Sequence, residues 1–506
     1  MSSQLWRTKS VDRLIEETEE PGHRLKKVLG AWSLAALGIG AVIGAGVWTL
    51  SGTAAVGMEV AVPSIWHAPV LDLALHGSEA TGISGRPGAG PAIALSYILV
   101  AIACGFAALC YAELASMIPV AGSAYTYSYA TMGELVAWII GWDLVLEYAV
   151  SNMAVAVGFS GYLNGLLQYV GVQLPPTWSQ PFFSAGGYGE GIFNFPAFLI
   201  VMLLTALLVR GIRESARANN IMVTIKILAI LLFIFGAAKY VSIDNLRPFA
   251  PNGAQGVLTG AALVFFAYIG FDSVSTAAEE TRNPQRDMPI GIIAALIICM
   301  LLYVGVAVVL TGIVPYTQID PAAPVSSALK QLGLGWLEFW VTVGALVGMI
   351  SSLMVYQLGQ ARIWFAMSRD GLLPRAFSRV HPRFQTPHIS TWVAGFLVAI
   401  PAGLWDIGEL AELSNIGTLF AFALVCGAVM VLRRRRPDLS RGFRVPWSPL
   451  LPVLGILCCL ILMTSLPLIT WGRFFAWLGI GLVIYFSYSR HRSELRTAAP
   501  EPPKGA

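Results

Sequence analysis

The sequence predicts an all-α integral membrane protein with about twelve transmembrane helices. Of the 506 residues, 56% are hydrophobic and only 12% are charged, which is more apolar surface than a water-soluble fold of this length can bury. Apolar runs of about 20 residues recur along the whole chain, and each is long enough to cross a bilayer. The strands of a membrane barrel would instead alternate apolar and polar residues. The continuous runs therefore indicate helices.

The apolar runs number about twelve. We expect spans at 30–51, 93–116, 133–167, 195–210, 219–240, 255–278, 289–314, 336–365, 389–405, 411–432, 450–467 and 471–488. The chain then divides into an N-terminal segment 1–29, five spans within 30–240 with a long external loop at 53–90, five spans within 255–432, two additional spans within 450–488, and a tail 489–506.

Basic residues favour one orientation of these spans. With the N-terminus inside, most Lys and Arg residues fall on inside segments, including the run Arg433–Arg436. The outside loops then hold only Arg86, Lys239, Arg247, Lys330 and Arg473. Both termini are therefore expected to be cytoplasmic, in a multi-pass protein of the cytoplasmic (inner) membrane. We interpret the run Arg433–Arg436 as a topology anchor rather than a lipid or nucleic-acid patch, since it directly follows a span.

Glycines interrupt two of the spans. Four glycines fall within Gly38–Gly46 at the centre of the first span, and the sixth span carries Gly270 shortly before an acid, Asp272. Interrupted helices offer free backbone groups to a polar substrate near the middle of the membrane. Such glycines can equally serve close helix packing. The matching positions of the two interruptions, five spans apart, favour a binding function.

The two interruptions together suit the main-chain groups of an α-amino acid. If the backbone unwinds near Gly44, the following half-helix presents free N–H groups and a positive dipole end to a carboxylate. Carbonyl groups left unpaired at the other broken ends suit an ammonium group. We therefore predict a secondary transporter whose substrate is an amino acid.

One basic residue lies deep within a span. Lys226 is roughly eight residues into the fifth span, which places it about 12 Å from the end of the helix. Because burial disfavours the charged ammonium form, Lys226 could gain and lose a proton as the protein alternates between its two faces. The alternative is an anchor whose side chain snorkels to the membrane surface.

Three acids also lie within spans. Asp143 and Glu147 are four residues apart on one face of the third span, and Asp272 follows the second interruption. Intramembrane acids mark functional positions more often than not, so each is a candidate proton carrier or side-chain contact. Each can also be a buried hydrogen-bonding acid, and Asp272 could accept hydrogen bonds from the N–H groups of an unwound segment.

The sequence contains no pattern typical of an enzyme. There is no nucleophile elbow, phosphate loop or dinucleotide turn, the six histidines lack metal-ligand spacing, and all six cysteines lie in apolar spans. We therefore expect no catalytic residues, no metal and no cofactor. The position of Lys226 favours a proton gradient as the energy source.

Three stretches resemble a known family. They are Gly38–Gly46, Gly141–Tyr148 and Phe271–Pro289. In these stretches the chain resembles the amino acid–polyamine–organocation superfamily, most closely bacterial members of its cationic amino acid transporter branch. The resemblance covers roughly residues 25–490. It implies a fold of two inverted five-helix repeats, as in LeuT-like transporters, followed by two additional C-terminal helices.

The resemblance also implies roles for individual residues. The implied substrate-binding residues are Val42, Gly44, Ala45, Gly46, Phe266, Ala267 and Ile269. Amides of the first interruption would hold the carboxylate, and the carbonyls of Val42, Phe266 and Ile269 would hold the amino group. Phe266 would also close over the substrate. Lys226 would take the place of a structural sodium ion, as in proton-coupled members, so the coupling ion would be H⁺.

Two features depart from the family pattern. Ala45 stands where the family often has Ser or Thr, which removes a hydroxyl contact to the carboxylate. The loop after the first span is longer than expected, and its stretch Gly57–Pro87 predicts either an external cap or a disordered insertion.

Several other functions remain open at this point. Within transport they are amino acid exchange without net proton flow, and polyamine transport neutralised by Asp143, Glu147 and Asp272. A nutrient sensor would usually carry a soluble signalling domain, and neither 1–29 nor 489–506 is long enough to form one. A channel is disfavoured because interrupted helices indicate an occluded site. The oligomeric state and the preferred amino acid are not predicted.

Overall fold

The computed structural model describes residues 5–11, 14, 27, 29–59, 65–77, 85–120, 123–184, 187–210, 216–384 and 386–494. Most of the predicted N-terminal segment 1–29, the tail beyond Glu494 and the loop parts 60–64 and 78–84 lie outside the described residues.

The predicted all-α membrane fold is confirmed, with helical structure at each predicted span. In the described part of the chain, eight helices are long and apolar enough to cross a membrane, a bent helix pair makes a ninth span, and three shorter apolar helices occupy the remaining positions. Numbered as spans 1 to 12, they are Ala31–Val42 with Gly46–Val56, Ile93–Met117, Glu134–Tyr169, Phe195–Val209, Ala216–Ala237, Gly253–Glu280, Pro284–Ile313, Gly335–Arg369, His388–Leu404, Ile407–Arg435, Leu450–Thr464 and Leu468–Arg492.

Span 1 continues past its predicted end at residue 51. Its last helical segment is Ser51–Val56, so the external loop begins after Val56 rather than at residue 53. The polar side chain of Ser51 does not end the helix, because its hydroxyl donates to the Val47 carbonyl of the preceding turn at 2.7 Å. A serine that is satisfied in this way is compatible with a buried helix.

Short elements connect the spans. The helices are Val70–His76, Ser123–Thr131, Pro176–Ser179 and Pro324–Gln331, with single turns of 3₁₀-helix at Ile65–His67, Gly90–Ala92, Ala238–Tyr240, Asp244–Leu246, Tyr316–Gln318 and Arg375–Ser378. Strand Gly57–Glu59 pairs antiparallel with Gly85–Pro87, and Phe183–Ser184 pairs antiparallel with Gly187–Tyr188.

The interrupted spans lie inside the helix bundle. Span 1 packs against spans 5, 7 and 8 and against the second half of span 6. Span 3, at 36 residues, is the longest and packs on spans 8 and 10. Spans 11 and 12 lie at the edge, where they contact span 10. This arrangement surrounds both interruptions with protein, which non-helical backbone at membrane depth requires.

The described residues of both chain ends meet on one face. The Lys9 ammonium lies 3.6 Å from an Asp370 carboxylate oxygen, and the backbone N–H of Glu494 donates to the Asp370 carbonyl at 3.2 Å. Nearby, the Ser493 hydroxyl donates to Glu134 at 2.5 Å. The described residues near the two chain ends therefore lie on the same side of the bundle, which is the side predicted to be cytoplasmic.

Candidate functional site

Span 1 is broken where its glycines predict a break. The first half ends at Val42, and the second half continues from Gly46 at an angle of 47° to the first. Ile43, at φ −77° and ψ 89°, is outside the helical region, and the Gly44 N–H donates to the Val42 carbonyl at 2.9 Å in a tight turn. The first N–H groups of the second half point into the break, because a helix start has no preceding carbonyls to bind them.

The α-helix of span 6 is interrupted at the predicted position. Its α-helix Gly253–Val264 tightens into 3₁₀-helix at Phe265–Tyr268 and, after a turn, at Phe271–Glu280. Gly270 in the turn has φ +116°, in the region that favours glycine. The Gly270 N–H donates to the Asp272 carboxylate at 3.2 Å. Asp272 therefore caps the unwound segment.

The two breaks lie against each other. A Cβ atom added to Gly46 would overlap the backbone of Ala267, and one added to Gly270 would lie 3.0 Å from the carbonyl carbon of Ala41. Only glycine permits so close an approach of two backbones. The structure thus brings together the two segments that the sequence singled out separately.

Carbonyls at the two breaks accept hydrogen bonds from tyrosines. The Tyr303 hydroxyl donates to the Val42 carbonyl at 3.0 Å, and the Tyr356 hydroxyl donates to the Ile269 carbonyl at 3.0 Å. A carbonyl oxygen has two lone pairs, so each can accept a second donor. The Phe266 carbonyl accepts the Ile269 N–H at 3.2 Å.

All the predicted substrate-binding residues are buried. Among them, the Phe266 side chain is only 3% exposed and Ala45 is fully buried. A Cβ atom on Gly158 of span 3 would lie 2.9 Å from Ala45 Cβ, so span 3 packs directly on the first break. The residues at both breaks are therefore covered by protein in this conformation.

Lys226 is fully buried and reaches the first break. Its Nζ atom donates to the Gly40 carbonyl at 2.6 Å and to the Ile43 carbonyl at 2.9 Å, and it lies 3.5 Å from the Gly348 carbonyl of span 8. Lys226 is thus not a snorkelling anchor. The ammonium group of Lys226, which contacts carbonyl oxygens of spans 1 and 8, thus links the broken helix to span 8.

Sequence analysis missed three residues that complete this arrangement. The Ser352 hydroxyl lies 3.0 Å from the Ile43 carbonyl and 3.2 Å from the Gly40 carbonyl, the same oxygens that Lys226 binds. Tyr303 and Tyr356 bind the carbonyls of Val42 and Ile269 as described above. A hydroxyl group within an apolar run is the only signal that could have pointed to them.

The acids of span 3 are buried beside span 10. Asp143 is fully buried, and among the described residues neither of its carboxyl oxygens has a hydrogen-bond partner. One of these oxygens would lie 2.6 Å from a Cβ atom on Gly417. Glu147 is 3% exposed and Asp272 is 2% exposed. No described ion pair reaches these three acids.

A cavity of about 650 Å³ approaches the first break from the predicted external side. Its walls come from span 3, the segment 174–194 that follows it, the segment 320–338 and the residues at the start of span 10, and Thr49 is among the residues that line it. Thr49 lies one helical turn after Ala45. Its hydroxyl has no hydrogen-bond partner among the described residues. The cavity is large enough for an amino acid with several water molecules.

Comparisons with known proteins agree with this geometry. Residues 29–486 match the family described as amino acid permease. The chain is 47% identical, over 98% of its length and the whole of the relative, to the branched-chain amino acid permease BcaP of Bacillus subtilis. It is 43% identical to the methylthioribose transporter of B. subtilis, over 97% of this chain and 99% of that protein.

A less similar relative belongs to the cationic amino acid transporters, the branch that the sequence resembles. The vacuolar cationic amino acid transporter 4 of Arabidopsis thaliana is 39% identical over 86% of this chain and 68% of its own length. These relatives are permeases and transporters, and none of their names describes an enzyme. The chain therefore belongs to the amino acid permease family of the amino acid–polyamine–organocation superfamily, as a multi-pass membrane transporter of amino acids.

Proposed function

We propose that the protein imports amino acids by proton symport through an alternating-access cycle. The observation that carries the proposal is the contact of the Lys226 ammonium with the Gly40 and Ile43 carbonyls. A protonated lysine offers three charged donors to these carbonyls, whereas a neutral amine loses the charge that strengthens the bonds. Protonation of Lys226 therefore favours the conformation in which span 1 is held against span 8.

Substrate binding at the two breaks follows from the same arrangement. The amides after Gly44 face the substrate carboxylate, and the carbonyls of Val42, Phe266 and Ile269 have the lone pairs to bind its amino group. Phe266 lies in the 3₁₀ segment of span 6 and closes over the bound molecule. Spans 1 and 6 then rock between the two faces, which releases the substrate inside.

Branched-chain amino acids are the first substrates to test. The relatives from B. subtilis and Lactococcus lactis, 47% and 36% identical, are both named branched-chain amino acid permeases. A Cβ atom on Gly44 would lie 3.1 Å from Ser352 Oγ of span 8 and 3.5 Å from Val155 Cγ2 of span 3. Val155 thus provides one apolar contact beside the main-chain site, which suits an aliphatic substrate side chain.

Cationic amino acids are the second candidate class. The supporting observation is that Asp143, Glu147 and Asp272 are buried without a described ion pair, so a cationic side chain could neutralise them. Relatives named cationic amino acid transporters share this fold family.

Uptake by proteoliposomes tests the proposal. The panel contains radiolabelled leucine, isoleucine, valine, alanine, lysine and arginine together with methylthioribose, each measured with and without an inward proton gradient. The proposal expects leucine, isoleucine and valine to enter, with uptake stimulated by the gradient. Uptake that ignores the gradient and requires internal amino acid would make the protein an exchanger. Uptake of methylthioribose alone would overturn the assignment of the substrate.

A further inference from the structure

The external loop between spans 1 and 2 is a folded cap in its described parts. We call residues 57–59, 65–77 and 85–87 the cap. The cap consists of the paired strands Gly57–Glu59 and Gly85–Pro87 and the helix Val70–His76. The contacts of the cap with the helix bundle indicate what it does.

The cap is fastened to the external part of span 6. The Gln255 side chain donates to the Asp72 carboxylate at 2.7 Å, and the Thr259 hydroxyl donates to the Pro87 carbonyl at 2.8 Å. Just after the cap, the Ala89 N–H donates to the Ala54 carbonyl of span 1 at 2.9 Å. The external ends of both broken helices are thus joined through the cap.

The cap is also fastened to the link between spans 11 and 12. The Val70 N–H donates to the Leu466 carbonyl at 3.1 Å, and the Leu468 N–H donates to the Ala68 carbonyl at 3.1 Å. Backbone contacts in both directions fix the position of the cap helix on this side.

Arg86 connects the cap to span 10. Its guanidinium forms an ion pair with Glu412, and the two side chains are only 12% and 2% exposed. Glu412 also accepts the Thr470 hydroxyl of span 12 at 3.3 Å. Burial lowers the pKa of Arg86 to about 10, which leaves it charged at neutral pH. A buried pair of this kind resists separation, because either partner alone would be a buried unpaired charge.

The part of span 10 that the cap holds also borders the external cavity. Asp406 and Ile407, at the start of span 10, line the cavity that reaches Thr49. At the next residue, a Cβ atom on Gly408 would lie 2.7 Å from the Met58 methyl group of the cap. The cap therefore contacts the same segment of span 10 that lines the external cavity.

We propose that Arg86 is a positioning residue that makes the external ends of spans 1, 6 and 10 move as one unit. When spans 1 and 6 move to close the external cavity, the cavity wall at Asp406 and Ile407 moves with them, because the Arg86–Glu412 ion pair connects the cap to span 10. The inference rests on the alternating-access part of the proposed function and is independent of the coupling ion and of the preferred substrate.

The test measures how open the external cavity is. A cysteine replaces Thr49 at the cavity, and its reaction with a membrane-impermeant maleimide is timed in whole cells. In this background the double variant Arg86→Met with Glu412→Gln removes the pair without leaving a lone buried charge. Because the wall no longer follows the closing helices, labelling should accelerate at least about threefold. Arg86→Lys, which keeps the charge, should label at nearly the parent rate.

A neighbouring ion pair provides the matched control. Arg473 of span 12 binds Glu409 of span 10 at 2.9 Å, one turn before Glu412 and without a residue of the cap. Arg473→Met with Glu409→Gln should leave the labelling rate within about twofold of the parent, since such a partly exposed pair contributes little. Equal labelling in the parent and the Arg86 double variant, or equal acceleration in the control, would overturn the inference.

Two further readouts separate the possible failures. Thermal unfolding of the purified variants shows whether they fold. If the double variant is unfolded, the apolar pair Arg86→Met with Glu412→Met is used instead, and the inference expects the same acceleration from it. A mixture of the twenty proteinogenic amino acids should change labelling in the parent. If it does not, alternating access fails; if it does but the variants label alike, only the role of Arg86 fails.

Discussion

The Lys226 ammonium nitrogen lies 2.6 Å from the Gly40 carbonyl oxygen, two residues before the first helix of span 1 ends at Val42. This contact joins the only lysine described within the spans to the break that the glycines create. It explains why a charged residue is tolerated at this depth, since carbonyl oxygens freed by the break replace its water ligands. Under the proposed function, it also ties the protonation state of Lys226 to the shape of the proposed substrate site.

Ser352 supports Lys226 at the same carbonyls. Ser352→Ala removes the hydroxyl that lies 3.0 Å from the Ile43 carbonyl. Because a neutral hydrogen bond contributes about 0.5–1.5 kcal/mol, kcat/KM for uptake should fall about two- to tenfold while stimulation by the proton gradient persists. Ser351→Ala is the control, since the buried Ser351 hydroxyl has no hydrogen-bond partner among the described residues. Equal losses in both variants would contradict this role of Ser352.

The left-handed backbone at Gly270 predicts a loss of stability on substitution. In Gly270→Ala the residue must adopt φ +116° with a Cβ atom only 3.0 Å from the Ala41 backbone. Strain of this kind costs about 1–3 kcal/mol, so the melting temperature in detergent should fall. Gly479→Ala in span 12 is the control, because its Cβ atom would meet nothing within 4 Å. An unchanged melting temperature for Gly270→Ala would refute the assigned backbone.

The spans and the breaks were predictable because their signals are local. A run of apolar residues predicts a span wherever it occurs, and the glycines of Gly38–Gly46 predict the break once Gly270 is seen at the matching position five spans later. Even the depth of Lys226 follows from counting residues. The end of span 1 at Val56 was mispredicted because Ser51 and Thr53 look polar in sequence, although the helix itself satisfies Ser51.

The partners of the site were not predictable because they are distant in the chain. Ser352 binds the Gly40 carbonyl across 312 residues, and Tyr303 binds Val42 across 261. Nothing local distinguishes these hydroxyl groups from others within spans. For the same reason, the sequence does not distinguish an external cap from a disordered insertion after span 1. The contacts of the cap with Gln255 and Leu466 depend on how spans 6 and 11 are placed.

The cap should lose stability in acid through His67. Burial, together with the nearby charge of Arg86, lowers the pKa of His67. The unfolded chain, with the ordinary pKa near 6.5, therefore binds a proton more readily than the folded one, so stability is full above this value and falls as the pH drops below it. Between about pH 7.5 and pH 5.5 the melting temperature of the parent should fall more than that of His67→Asn. Parallel decreases would exclude His67 as the cause.

Asp143 should tolerate loss of its charge. Its carboxyl group is buried, and its oxygens have no hydrogen-bond partner among the described residues, so an ionised form would be a costly isolated charge. Asp143→Asn keeps the shape and should change the melting temperature by no more than about 3 °C. Asp272→Ala should lower it further, since it removes the oxygen that accepts the Gly270 N–H at the break. A larger loss for Asp143→Asn would mean that its ionised form is stabilised in the fold.

The coupling role of Lys226 is tested most directly by comparing two kinds of transport in one variant. Lys226→Met keeps the length of the side chain and removes its charge. Proteoliposomes carrying this variant are assayed with radiolabelled leucine, once for uptake driven by an inward proton gradient and once for exchange against internal leucine without a gradient. The account predicts that gradient-driven accumulation is lost while exchange persists. Gradient-driven accumulation at the parent level would contradict it.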